Sequence, residues 1–228
     1  MSLIINIDTA TEAAHVSIAK DGVVWQQAFN TNQLDHAGFL QVAVKVIMDK
    51  AAVSFAEVDA IAVTIGPGSY TGLRVGLASA KGLCYALKKP LIAIGTLDVL
   101  AKSALISPEK TVLTSQTLLC PMIDARRMEV FTAVFDQSLK TILPAQALIL
   151  DETSFKDLIE RQPIAFLGNG SQKWKIICPY PSAVFLDVTI NPLAMSELSE
   201  QKFIDQNFSD LAYTEPTYIK EFYINTIL

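Results

Sequence analysis

Basic runs, paired cysteines and membrane-length apolar stretches are all missing from this sequence. Its 228 residues carry 18 Lys and Arg against 23 Asp and Glu, a net charge of −5. No Lys/Arg tail or stripe is present, which excludes strong autonomous binding to nucleic acid. Any such role needs a partner that supplies positive charge. The apolar runs are strand-sized, and none reaches the roughly 18 residues of a membrane span. The opening MSLIINID reaches Asp8 without the charged segment or cleavage site of a secretory leader. A cytoplasmic protein with no membrane association is expected. The three cysteines, Cys84, Cys120 and Cys178, are far apart and form no C-x-x-C pair. They read as small buried hydrophobes, not as a disulfide framework, ligands or nucleophiles.

Histidine is equally scarce. His36 opens HAGFL, so the residue four positions on is Leu40, and the two-histidine helical metal pair is not formed. No Ser/His/Asp or Cys/His triad can be assembled. The expectation is no catalytic residue and no metal site.

What the chain does hold is apolar residues, about half of the total, arranged as short strands and helices. LIINID ends in Asp8. HVSIAK and VVWQQAF flank Asp21-Gly22, a hairpin signal. A helix is expected from about Asp35 to Ala51, a strand over 60–65, a helix over 71–87, a strand over 90–94 and a helix over 96–105. The second half restarts in the same way. LLCPMID ends in Asp124, EVFTAVF follows, and PIAFLGNGS matches VTIGPGS: an apolar run, then G-x-G-S. Landmarks in the same order at similar separation indicate a duplicated βββαβα unit. Ser107 to Thr117 is the best boundary, giving halves 1–108 and 109–228. After Gln201 the pattern weakens, and EPTYIKEFYINT reads as a terminal extension of low order packed by Tyr218 and Phe222.

Five of the ten glycines lie in IGPGSYTGLRVGLASAKGLCYAL, between Ile65 and Leu87. A P-loop needs G-x-x-x-x-G-K-[ST], which neither Gly66 nor Gly68 starts. A dinucleotide fingerprint fails at Thr71. The loop therefore does not read as a nucleotide cradle by itself. Glycine inside a helix costs about 1 kcal/mol relative to alanine, so Gly72, Gly76 and Gly82 need another reason. Gly72 and Gly76 share a face that Ala78, Ser79 and Ala86 extend. Such small surfaces let another backbone approach. This helix and the one before it are apolar nearly all round. Leu73, Leu77, Ala80, Cys84 and Leu87 can cover a sheet, leaving Val75, Ala78, Gly82 and Ala86. In the earlier helix, Phe39, Val42 and Val46 form a second stripe. A helix apolar on every side is buried. Phe39, Val42, Val46, Gly72, Val75, Gly76, Ala78, Ser79 and Gly82 are the expected protein–protein interface; the alternative is that the two helices bury the excess against each other and the second half. Arg126, Arg127 and Glu129, just after Asp124, could bind an anion or make a salt-bridged hairpin tip.

IDTATEAAHVSIAKDG, GPGSYTGLRVGLASAKGL, IDARRMEVF and GNG, in this order, resemble the bacterial TsaB (YeaZ) family. The resemblance is specific across residues 3–131 and thin after about 171. It implies a duplicated actin/Hsp70-like (ASKHA) α/β fold. It further implies a non-catalytic subunit that pairs with the catalytic paralogue TsaD, works with the ATPase TsaE, and takes part in making threonylcarbamoyl-adenosine in tRNA. The face that pairs with TsaD is, in that family, the helical one, which pairs with itself when TsaD is absent. TsaD's H-x-x-x-H helix corresponds to His36 and Leu40, without the second ligand. Actin-like folds place acids such as Asp8 and Asp124 across a cleft that holds metal-nucleotide, within D-x-G-[ST] hairpins. Here Ala10 and Arg126 stand where glycine lets phosphate approach. Asp8, Thr9 and Asp124 are thus weak candidates for nucleotide contact; the alternative is that the two acids are hairpin acids that bond nearby backbone N–H groups. ATP or ADP is expected only in a complex, and tRNA only through it. The former glycoprotease label finds no nucleophile or metal pair. The rival reading is an ATP-dependent phosphotransferase of the same fold.

Overall fold

The computed structural model describes residues 1–31 and 36–220. Strand β1 (Leu3–Asp8) lies at the centre of a five-stranded sheet. It pairs antiparallel with β2 (Ala14–Lys20), which pairs antiparallel with β3 (Val23–Asn30). The β2–β3 turn is the expected one: Asp21 and Gly22 both have positive φ, 50° and 78°, as a tight hairpin requires. On its other side β1 pairs parallel with β4 (Ala60–Gly66), and β4 pairs parallel with β5 (Leu91–Gly95). Helix α1 (His36–Ala51) precedes β4, α2 (Tyr70–Leu87) joins β4 to β5, and α3 (Thr96–Ile106) follows β5. The Asp35 start expected for α1 lies outside the described residues.

The second sheet repeats this plan. It contains β6 (Leu118–Asp124), β7 (Glu129–Phe135), β8 (Thr141–Ile149), β9 (Ile164–Leu167) and β10 (Ala183–Leu186). Its order, β8-β7-β6-β9-β10, matches β3-β2-β1-β4-β5 strand for strand. Helices α4 (Lys156–Ile159), α5 (Ser171–Ile177) and α6 (Pro192–Ile204) take the places of α1, α2 and α3. Each unit is therefore βββαβαβα, one strand and one helix longer than the landmarks alone define.

Alternation along β1 sets up the layers. Leu3, Ile5 and Ile7 pack with Leu40, Val44 and Ile47 of α1 and Leu77, Ala80 and Cys84 of α2. Ile4 faces the other way, into a core shared by both sheets that includes Leu97 and Leu100 of α3, Leu119 and Ile123 of β6, and Ala194 and Met195 of α6. Helix α3 reaches β6, β7 and β9 of the second sheet, and α6 packs on β1, β2, β3 and β5 of the first. The two helices also touch each other. The last helix of each half thus closes the other half's sheet. A third core, with Trp174 and Phe166, lies on the outer face of the second sheet.

Of the expected low-order extension 215–226, residues 215–220 are tied to the first half, as is the segment before them, and 221–226 lie outside the described residues. Ser209 bridges Leu91 on the open edge of β5, where its N–H donates to the Leu91 carbonyl at 2.8 Å and its hydroxyl accepts from Ala93 N–H at 3.1 Å. Thr217 N–H donates to Ile65 O at 2.7 Å, and the Tyr218 hydroxyl accepts from Arg74 Nε at 2.9 Å. This strap covers an edge that would otherwise template aggregation. Phe222 lies outside the described residues. Among the described residues no helix is long and apolar enough to cross a membrane.

Candidate functional site

The two acid-ended strands and their glycine loops occupy equivalent places, and their chemistry differs. In the first half, Asp8 is 1% exposed. Its Oδ1 accepts from Ala10 N–H at 3.0 Å and from the Thr64 hydroxyl at 2.7 Å. Its Oδ2 has no partner among the described residues. His15 stands opposite Asp8 across the strand pair. Burial lowers the imidazole pKa, and the Asp8 charge works in the opposite direction.

The turn after Asp8 is filled by the glycine loop. Ser69 N–H donates to Ala10 O at 2.7 Å. A Cβ at Gly68 would collide with that same carbonyl oxygen, one at Gly72 with the Thr9 carbonyl, and one at Gly76 with the Thr9 hydroxyl. Thr9 in turn donates to Gly72 O at 2.7 Å. Ser69 caps α2 by accepting from Gly72 N–H at 3.2 Å. The loop's glycines are therefore there for close packing on the Thr9–Ala10 turn.

In the second half Asp124 is exposed. Its Oδ1 accepts from Arg126 N–H at 2.6 Å and pairs with Lys173 Nζ at 2.7 Å. Partial desolvation works upward on this carboxyl, but the Lys173 ammonium and the Arg126 N–H together hold it below the usual range. Asn169, inside the G-x-G loop, accepts from Asp124 N–H at 2.9 Å. Arg126 and Arg127 both adopt left-handed backbone, φ 70° and 47°. The tip is closed by Glu129 N–H to Arg126 O and Ala125 N–H to Glu129 O, each 3.1 Å. Among the described residues it is not braced by arginine salt bridges: the acids pair with lysines, Asp124 with Lys173 and Glu129 with Lys220, both at 2.7 Å.

The expected interface residues separate into two groups. Gly72 and Gly76 are buried inside the chain against Thr9, so the close approach they permit is made by a turn and not by a second helix. Val42 (63% exposed) and Val46 stay open on α1, with Phe39 half-buried. On α2, Ala78 and Gly82 are exposed, and Val75 and Ser79 are half-buried. Among the described residues nothing lies within 4 Å of a Cβ built on Gly82. Gln41 Nε2 reaches Ser79 Oγ at 3.3 Å, joining the two helices across this face. Among the described residues no three His, Cys, Asp or Glu side chains are grouped to hold a metal.

Sequence reasoning missed Thr64, Lys173 and the strap. Thr64 sits inside an apolar strand run, and Lys173 lies 49 residues from its Asp124 partner. Neither carries a local signal.

The family model described as "TsaD: tRNA N6-adenosine threonylcarbamoyltransferase" matches residues 10–225. The chain belongs to that family. Within it, the chain falls with the TsaB (YeaZ) proteins. It is 33% identical over 134 residues to the tRNA threonylcarbamoyladenosine biosynthesis protein TsaB of Escherichia coli, covering 59% of this chain and 55% of that protein. It is 26% identical over 175 residues to TsaB of Bacillus subtilis, covering 75% and 73%. An uncharacterised Mycobacterium tuberculosis protein is 33% identical over 147 residues, 64% of each chain. The chain thus spans less than two thirds of the length of several curated relatives it matches. YeaZ from Pseudomonas aeruginosa superposes with a TM-score of 0.76 at 24% identity, covering 96% of this chain and 100% of that one. A polyphosphate/ATP-glucomannokinase from Arthrobacter superposes at 0.50 with 11% identity, covering 90% and 100%. These likenesses establish the fold, a duplicated actin/Hsp70-like α/β architecture.

Proposed function

We propose that this chain takes part in forming threonylcarbamoyl-adenosine in tRNA, as a subunit that does not itself perform the transfer. The observation that carries this reading is the closed first-half turn. A family whose model is named for a transferase would hold nucleotide there. In this chain Gly68, Gly72 and Gly76 bring the loop and helix hard onto Thr9 and Ala10, and one of the two Asp8 oxygens is held by Thr64 and Ala10. The chain's contribution is then a surface.

That surface is the α1–α2 face, with Val42, Val46, Val75, Ala78 and Gly82 at its open centre. Its partner is the catalytic paralogue TsaD, and a second copy of this chain when TsaD is absent. A specific interface of about 800 Å² per partner is expected. The ATPase TsaE joins the assembly, and nucleotide and tRNA bind in the complex. Residues 1–108 supply the pairing surface in this reading, and 109–228 form the second half with its strap. The setting is the cytoplasm.

The test is reconstitution. Transferase, ATPase, tRNA and ATP are combined with and without the chain, and modified adenosine is measured by mass spectrometry of digested tRNA. The chain should be required for full activity and should show no ATP turnover alone. Turnover on the order of 1 s⁻¹ by the lone chain, abolished in Asp8→Ala, supports the rival phosphotransferase instead.

A further inference from the structure

The β6–β7 tip is a cationic feature that the proposed role leaves unused. Four cations gather there: Arg126, Arg127, Lys173 and Lys220. Two acids are bonded among them, and each is already matched by a lysine at 2.7 Å. Arg126 and Arg127 are exposed and enter no ion pair among the described residues. Among the described residues the two arginine charges of the tip are therefore unmatched by any ion pair, on a chain whose net charge is −5. Its backbone is locked as well. Both arginines sit in the left-handed region, where glycine or asparagine is the relaxed choice. The Arg126 N–H is pinned by Asp124 and its carbonyl by Glu129 N–H. The turn could be closed at less strain by other residues, so the side chains themselves are what the position supplies. Guanidinium is the planar, permanently charged fork that suits phosphate oxygens.

We infer that Arg126 and Arg127 form a contact point for the phosphate backbone of RNA. The inference rests on the proposed role in tRNA modification for its choice of RNA as the polyanion. Two contacts give weak binding by the chain alone, and steep dependence on salt is their signature.

The experiment measures binding of unmodified tRNA to the full chain by fluorescence anisotropy across about 50 to 200 mM salt. Wild type is compared with R126A/R127A, R126K/R127K and the single-charge surface control K50A on α1. Circular dichroism and thermal melting check that each variant is folded. R126A/R127A should weaken binding and lower the slope of log K against log salt by about two, roughly one per phosphate contact. R126K/R127K should keep the slope, and K50A should match wild type. A slope unchanged in R126A/R127A overturns the inference. So does equal competition by polyglutamate, which would assign the tip to an acidic protein surface. The reconstitution assay is scored separately. A chain that fails to support modification while its slope falls as expected sinks the proposed function and leaves this contact standing.

Discussion

The first half buries its acid and the second half exposes its own, although the two sit at equivalent ends of equivalent strands. Asp8 is enclosed by Thr64, Ala10 and the glycine loop. Asp124 faces solvent, held by Lys173 at the base of an arginine tip. Duplication preserved the sheet order and the G-x-G-S turns. Both G-x-G-S turns pack internally, Gly68 on Ala10 and Gly170 on Val130 and Ile123, but the acid hairpins differ: the first is buried and the second is a charged surface, so in this chain topology and site chemistry have separated.

The largest expected effect tests that packing. Gly68→Ala should cost about 3 kcal/mol in urea unfolding, because the new Cβ has only the Ala10 carbonyl to move against. Its counterpart Gly170→Ala meets Val130 Cγ1 at 2.9 Å and backbone of Ile123 at 3.0 Å, at ordinary negative φ, and should cost about half as much. Equal costs would erase the contrast between the loops.

Next come the acids. Asp8→Ala strands the Thr64 hydroxyl and Ala10 N–H in the core, a loss of about 1–3 kcal/mol. Asp124→Ala removes an exposed pair and should change stability by less than about 1 kcal/mol.

The halves should also differ with pH. The folded-state pKa of His15 is depressed by burial, so the native state favours neutral imidazole. Its contribution is complete above the unfolded value near 6.5 and is lost as pH falls below it. Asp124 is depressed too, and its contribution is present above the ordinary carboxylate pKa of about 4 and lost only below that. Hydrogen exchange near pH 5 should therefore loosen β1–β2 before the β6–β7 tip. At alkaline pH the halves should behave alike. Burial raises Cys84 and Cys120 to about 12, so stability falls as pH climbs past about 8.5. Cys178 should react with iodoacetamide first.

The smallest effect is a gain. Gly82→Ala, with open space around it, should stabilise α2 by about 1 kcal/mol, seen as a higher Tm.

Most of the first half was legible in the sequence because its signals are local. Asp21-Gly22 specified its hairpin, and apolar periodicity gave α1, α2 and α3 to within a residue or two. The duplication was readable from the order of three landmarks. The strap was not, because its bonds run from Ser209 to Leu91 and from Thr217 to Ile65, and nothing in EPTYIK announces a distant edge strand. The purpose of Gly72 and Gly76 was half-readable. Their spacing demanded a close neighbour, but only the fold shows that neighbour to be Thr9. Gly76→Leu is accordingly expected to unfold the monomer, not to dissociate a folded pair. The exposed valines are the cleaner probe of the surface.

The most direct measurement is therefore association of Val42→Glu/Val46→Glu with the transferase paralogue. Sedimentation velocity of the mixture is read beside the melting curve of the variant alone. The account predicts a folded monomer that no longer binds the paralogue and no longer supports tRNA modification. A variant that still forms the complex and sustains wild-type modification would contradict it.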